Sequence, residues 1–146
     1  MLVNFAAASF MVGLTVTIHF GGALVLMWLL SSHGHRFHAR DSVAGRGAAV
    51  LFIVFGLVII HTLEIWAYAM AYLVVGALGD LETALYFSTT TFTTLGYGDV
   101  VLDRRWRLFG AIEGANGLLL IGWSTAFLFT MLAQMRSLER DWLERH

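Results

Sequence analysis

Thr93-Thr94-Leu95-Gly96-Tyr97-Gly98-Asp99 is the stretch on which the reading of this chain turns, and it lies between two long apolar segments. Its glycines alternate with larger residues. Successive main-chain carbonyls can face one way only if alternate residues take positive φ, a region glycine reaches at little steric cost and bulky or β-branched residues do not. Leu81 to Thr93, just before the glycines, is too short to cross a bilayer and too apolar for an ordinary surface loop. It reads as a short helix with Asp80 near its start, running directly into the glycines. An incidental turn is the bland alternative, because Gly-Tyr-Gly-Asp alone is ordinary loop sequence. The flanking apolar spans argue instead for a re-entrant unit. Non-helical backbone at membrane depth is tolerated only where protein buries it or where it lines a water-filled cavity.

Composition agrees with a membrane setting. The chain is 58% hydrophobic with a mean hydropathy of +0.74, and only 13% of it is charged. Three segments reach the roughly 20 residues needed for a hydrocarbon core of about 30 Å: about Leu2 to Leu30, Ala48 to Leu78 and Trp106 to Met135. The first lacks a preceding basic region and a following small-residue cleavage site, which favours a retained span over a removed signal peptide. Cysteine is absent, excluding disulfides and thiolate chemistry, and a net charge of -1 gives no reason to expect nucleic acid. No H-E-x-x-H, G-x-S-x-G or nucleotide-loop motif is present, so neither an enzyme nor a soluble substrate is expected. Arg36, Arg40, Arg46, Arg136, Arg140 and Arg145 outnumber Arg104, Arg105 and Arg107, which puts the N-terminus outside and the C-terminus in the cytoplasm of a multi-pass plasma-membrane protein.

A cation entering a narrow pore must exchange its waters for other oxygens, and stacked carbonyls provide them without a fixed charge that would trap the ion. Ala84-Leu85-Tyr86-Phe87-Ser88 through Gly96-Tyr97-Gly98-Asp99, followed by Trp106 and an apolar helix, resembles the pore domain of tetrameric potassium channels with two helices and a pore loop. The resemblance covers about residues 48–135. It implies an all-α membrane protein assembled as a homotetramer in the lipid bilayer, passing K+ passively, with no cofactor beyond the permeant ions. Thr94, Leu95, Gly96, Tyr97 and Gly98 would form the selectivity filter, Tyr97 would pack its ring on the pore helix, and Asp99 would sit at the outer mouth. The organisation expected is an extra N-terminal helix (1–31), a cytoplasmic basic and histidine-bearing loop (32–47), the pore domain (48–135) and a short tail (136–146). Within the pore domain these are an outer helix (48–78), pore helix (81–93), filter (94–99) and inner helix (106–135). Leu95 stands where valine is commoner, a modest departure because the backbone supplies the ligand. The first span lacks the regularly spaced arginines of a voltage sensor, and the tail leaves no room for a large cytosolic regulatory domain.

Several further residues invite a role. Gly122, Ala126, Thr130 and Gln134 recur every four residues, a small or polar stripe suited to lining a cavity or to close helix packing. Gly114 and Gly117 are candidate hinges. His61 and Glu64, three apart in the second span, are expected to pair, because a charge at bilayer depth costs roughly 2.5 to 3.5 kcal/mol on insertion scales. Glu113, about two turns beyond Trp106, is a candidate filter support that hydrogen-bonds the pore helix. His33, His35 and His38 have spacing that can bind metal or respond to pH, although a basic loop near headgroups is the simpler reading. The alternative function is a non-conducting membrane subunit, or a pH or metal sensor, that keeps the pore fold.

Overall fold

The computed structural model describes residues 2–32 and 43–143. His33, His35 and His38 lie outside them, as does the side chain of Gln134. Four helices account for most of the described residues: α1 (Leu2–Ser32), α2 (Val43–Val74), α3 (Leu81–Phe92) and α4 (Arg107–Leu143). Segments Leu2–Ser32, Gly47–Val74 and Arg107–Ala133 are each long and apolar enough to cross a membrane. The 12 residues of α3 rise only about 18 Å and cannot cross. Among the described residues there is no strand, and the protein is an all-α membrane protein.

Local chemistry sets the helix ends. Asp80 caps α3: its backbone is extended (φ -145°, ψ 159°) and its carboxylate accepts a 2.9 Å bond from the Thr83 N–H. The second helix stops at Val74, four residues before the expected end. Gly76 there takes φ 67° and donates to the Leu73 carbonyl, while Ala77 donates to the Tyr72 carbonyl. That pair of bonds is a Schellman closure, in which glycine enters the left-handed region without a Cβ penalty. At the other end of the molecule, α4 continues past the expected residue 135 to Leu143.

Packing places α3 against both α2 and α4, with α1 laid across the same two helices. The buried residues of α1 are Asn4, Ala8, Met11, Thr15, His19, Ala23 and Leu26, a single seam at spacings of three and four. Most of its large apolar residues, including Phe5, Phe10, Phe20 and Trp28, point outward instead. This arrangement suits a bilayer, where lipid solvates leucine and phenylalanine and helices associate through small and polar side chains. The α1–α2 crossing is close because glycines receive side chains. A Cβ on Gly22 would lie 2.6 Å from Ile60 Cγ1, and Gly56 receives the Leu26 side chain. One apolar cluster joins Tyr68, Tyr72, Phe92, Trp106 and Phe109 around α3, and a second joins Leu26, Ile53, Leu57 and Ile60.

Candidate functional site

The loop after α3 continues the helix for one turn and then changes hand repeatedly. Thr93 has φ -80°, Thr94 +61°, Gly96 +54° and Gly98 +78°, while Leu95 and Tyr97 stay out of the positive region. Alternation at the glycines follows from their lack of Cβ. At Thr94 it does not, since a β-branched residue at positive φ is an outlier held only where its surroundings over-determine it. Those surroundings are the last carbonyls of α3. Thr93 N–H donates to Thr89 O, Thr94 N–H to Thr91 O and Gly96 N–H to Thr90 O, at 3.1, 3.0 and 3.1 Å. The orphan acceptors of the helix end thereby hold the loop.

Asp99, at the far end of the loop, accepts a 2.7 Å bond from the Tyr86 hydroxyl on α3. That bond, the largest cause, holds the Asp99 carboxyl below the usual carboxylate range. Tyr97 differs from expectation. The residue is 69% exposed and Leu95 is 58% exposed, so within one chain Tyr97 is not packed on the pore helix.

Beneath the loop, Glu113 on α4 is fully buried and meets two hydroxyls: Tyr72 of α2 and Ser88 of α3, the latter at 2.5 Å. Ser88 Oγ also lies 3.0 Å from the Ile65 carbonyl oxygen. Three helices therefore converge on one carboxyl group. A helical turn further on, the Asn116 amide donates to Thr15 Oγ1 of α1 at 2.8 Å and to the Tyr68 hydroxyl of α2 at 3.2 Å. A second anchor for α1 is the Asn4 amide, which donates to the Arg105 carbonyl.

His61 Nδ1 is 2.8 Å from Glu64 Oε2, the expected pair. Two further members join it: His19 Nδ1 of α1, a residue placed by its sequence to contact the second helix, 3.0 Å from Glu64 Oε1, and Ser124 Oγ of α4, 2.9 Å from His61 Nε2. Sequence reasoning missed Ser124, Tyr68, Tyr72, Ser88 and Asn116. A signal existed, because Glu113, Asn116 and Ser124 recur at helical spacing on one face, as Asn4, Thr15 and His19 do on α1.

The expected hinges stand at contacts. A Cβ on Gly117 would overlap the Phe92 carbonyl group, and one on Gly114 would sit 3.4 Å from Thr91 O, so these glycines let α4 meet the C-terminal end of α3. Through both positions α4 remains one α-helix. Gly122, Ala126 and Thr130 are exposed, and nothing lies within 4 Å of where a Gly122 Cβ would be. Their face is turned from the intrachain contacts made by Glu113, Asn116, Leu120 and Ser124, all of which are buried.

Three helices long and apolar enough to cross a membrane, two of them packed on a short capped helix that ends in a loop of alternating hand, define a multi-pass membrane protein. A profile of the ion channel family matches residues 58–134, just over half the chain, and the chain belongs to that family. Neither curated proteins nor solved structures yield a match.

Proposed function

We propose that the protein is a potassium-selective channel that conducts K+ passively through a homotetrameric pore in the plasma membrane. The observation that carries this reading is the alternation of positive φ at Thr94, Gly96 and Gly98, within the order Thr-Leu-Gly-Tyr-Gly at the end of a capped re-entrant helix. Alternating hand is the backbone that lets the carbonyls of residues 94–98 act together as ligands in place of water. Asp99 then holds negative charge at the outer mouth. The α3 C-terminus, carrying roughly half a negative charge, favours a cation beyond it.

A single chain presents one wall of such a pore. The exposure of Leu95 and Tyr97, and the exposed face of Gly122, Ala126 and Thr130, support assembly of four copies with that face toward the cavity and the Tyr97 ring against a neighbour. In this reading α2, α3 and α4 form the pore domain, α1 braces it from outside, the N-terminus is outside and the tail is cytoplasmic. Nothing in α1 offers regularly spaced arginines, so steep voltage gating of the arginine-sensor kind is not proposed.

The test is potassium flux into liposomes containing the purified protein, with sodium as control and Gly96→Ala as the filter-disrupted comparison. Alanine at φ +54° is strained whatever the space around it, so flux is expected to be potassium-selective in the native protein and lost in the variant. Equal potassium and sodium flux would overturn selectivity. A folded assembly silent across a range of pH and voltage would favour a non-conducting subunit or sensor.

A further inference from the structure

Glu64 and its neighbours form a group that conduction through the loop does not use. The carboxylate lies on α2 at a depth where a charge is costly, and its side chain is fully buried. Both of its oxygens face imidazoles: Oε1 the Nδ1 of His19 and Oε2 the Nδ1 of His61. With both rings neutral, each donates its Nδ1–H and the carboxylate keeps its full charge with no cation beside it. Buried charges are ordinarily paired or coordinate a metal.

We infer that His19, His61 and Glu64 form a binding site for a divalent d-block cation of the zinc type, clasping the first helix to the second. Ligand atoms of the three residues lie within 4.8 Å of one another. A tetrahedral ion about 2.0 to 2.1 Å from each ligand needs them about 3.3 Å apart; the imidazoles stand 3.0 and 2.8 Å from the two different carboxylate oxygens, so binding requires the carboxylate to turn one oxygen to the ion and the rings to close on it. Two imidazoles and one carboxylate suit zinc, cobalt or nickel and do not suit the all-oxygen preference of magnesium or calcium.

On binding, each ring moves its proton from Nδ1 to Nε2 and turns the freed lone pair to the ion, so no net proton is released. Ser124 Oγ, 2.9 Å from His61 Nε2, then accepts that proton's hydrogen bond and fixes the ring, a common outer-shell arrangement at metal-bound histidines. The His61 side chain is 19% exposed, whereas His19 and Glu64 are enclosed. Three protein ligands leave a fourth position for water. The His61 ring also stands 5.8 Å from that of Phe92, the last residue of α3, so the ion would lie beside the base of the pore loop.

The test is zinc and cobalt binding to the full chain in liposomes, with His33, His35 and His38 replaced by Ala and any affinity tag removed so that loop histidines do not contribute. One ion per chain is expected, with at least tenfold weaker binding in each of His19→Gln, His61→Gln and Glu64→Gln, and a zinc-dependent rise in thermal stability that these variants lose. If a variant misfolds, X-ray absorption of the zinc-loaded protein with native His19, His61 and Glu64 decides, through a shell of two imidazoles and oxygen. Absent binding, or binding that the three substitutions leave unchanged, overturns the site. Metal-free flux on the same liposomes separates the two readings: a conducting protein that binds no zinc loses only the metal site, and a zinc-binding protein that does not conduct loses only the channel proposal.

Discussion

Replacing Glu113 by Gln is expected to leave stability and potassium flux close to native, whereas Glu113→Ala is expected to damage both. Residue 113 meets Tyr72 and Ser88, and Ser88 Oγ meets the Ile65 carbonyl as well. These three contacts need three protons, and the two hydroxyls carry one each. The Ser88 hydroxyl has one proton for two acceptors, Glu113 Oε1 and the Ile65 carbonyl, and the prediction is that a protonated residue 113 supplies the third, with Tyr72 donating to residue 113, Ser88 donating to Ile65 O, and residue 113 donating to Ser88. Glutamine meets the same pattern at the same length, accepting through its carbonyl and donating through its amide, so a change below about 1 kcal/mol is expected. Alanine strands the buried Tyr72 hydroxyl at about 1–3 kcal/mol and loses the Ser88 bond at about 1 kcal/mol. The cavity adds a further cost of about 1 kcal/mol. The sum, about 3–5 kcal/mol, is a large part of the roughly 5–15 kcal/mol that holds a typical domain folded. Thermal unfolding in detergent, followed by tryptophan fluorescence, measures it, and liposome flux reports whether α3 still holds the loop. Glutamine as damaging as alanine would refute the proton count and show that the two hydroxyls require a carboxylate anion.

Gly117→Ala places a methyl group onto the Phe92 backbone, which cannot swing aside as a flexible side chain would. A loss of about 1–3 kcal/mol is expected, offset by about 1 kcal/mol of helix propensity, together with reduced flux; Gly122→Ala, in open space, should stay within about 0.5 kcal/mol. Unfolding of the two variants side by side checks this. Asp99 is held below its ordinary value by the Tyr86 hydroxyl, so its stabilisation of the outer loop is complete above the usual carboxylate range near about 3.9 and is lost as pH falls through the lower folded value. Tyr86→Phe removes that bond and is expected to move acid loss of flux to higher pH, read by titrating the outer solution; an unmoved midpoint would break the link.

Much of the fold could be read directly because its signals are local. Asp80 announces the start of α3, the glycines at 96 and 98 announce the change of hand, and span length separates the three long helices from the short one. Other features arise only in three dimensions. No local preference predicts Thr94 at φ 61°, because its cause is the spent carbonyls of α3 a few residues earlier. Gly76 is a local signal that span reading overrode: hydropathy continues through Ala77 and Leu78, but the helix ends where glycine can reverse it. The packing partners were the least legible, since Asn116 reaches Thr15 across 101 positions and His19 reaches Glu64 across 45.

Apolar residues carry little of that information in a membrane helix, because they surround it on every side and mark no face. Polar residues do mark one. On α1, Asn4, Thr15 and His19 share the buried seam, and each meets a different part of the remaining chain: the Arg105 carbonyl, Asn116, and Glu64. Lipid can replace the apolar contacts of α1 at little cost, but it cannot replace these three bonds. The first helix is therefore held in register by its polar residues, and its depth is tied at one end to the loop preceding α4 and at the middle to the Glu64 cluster. A displacement of α1 along its axis breaks all three bonds together, which makes the helix a stiff brace against the two helices that grip α3.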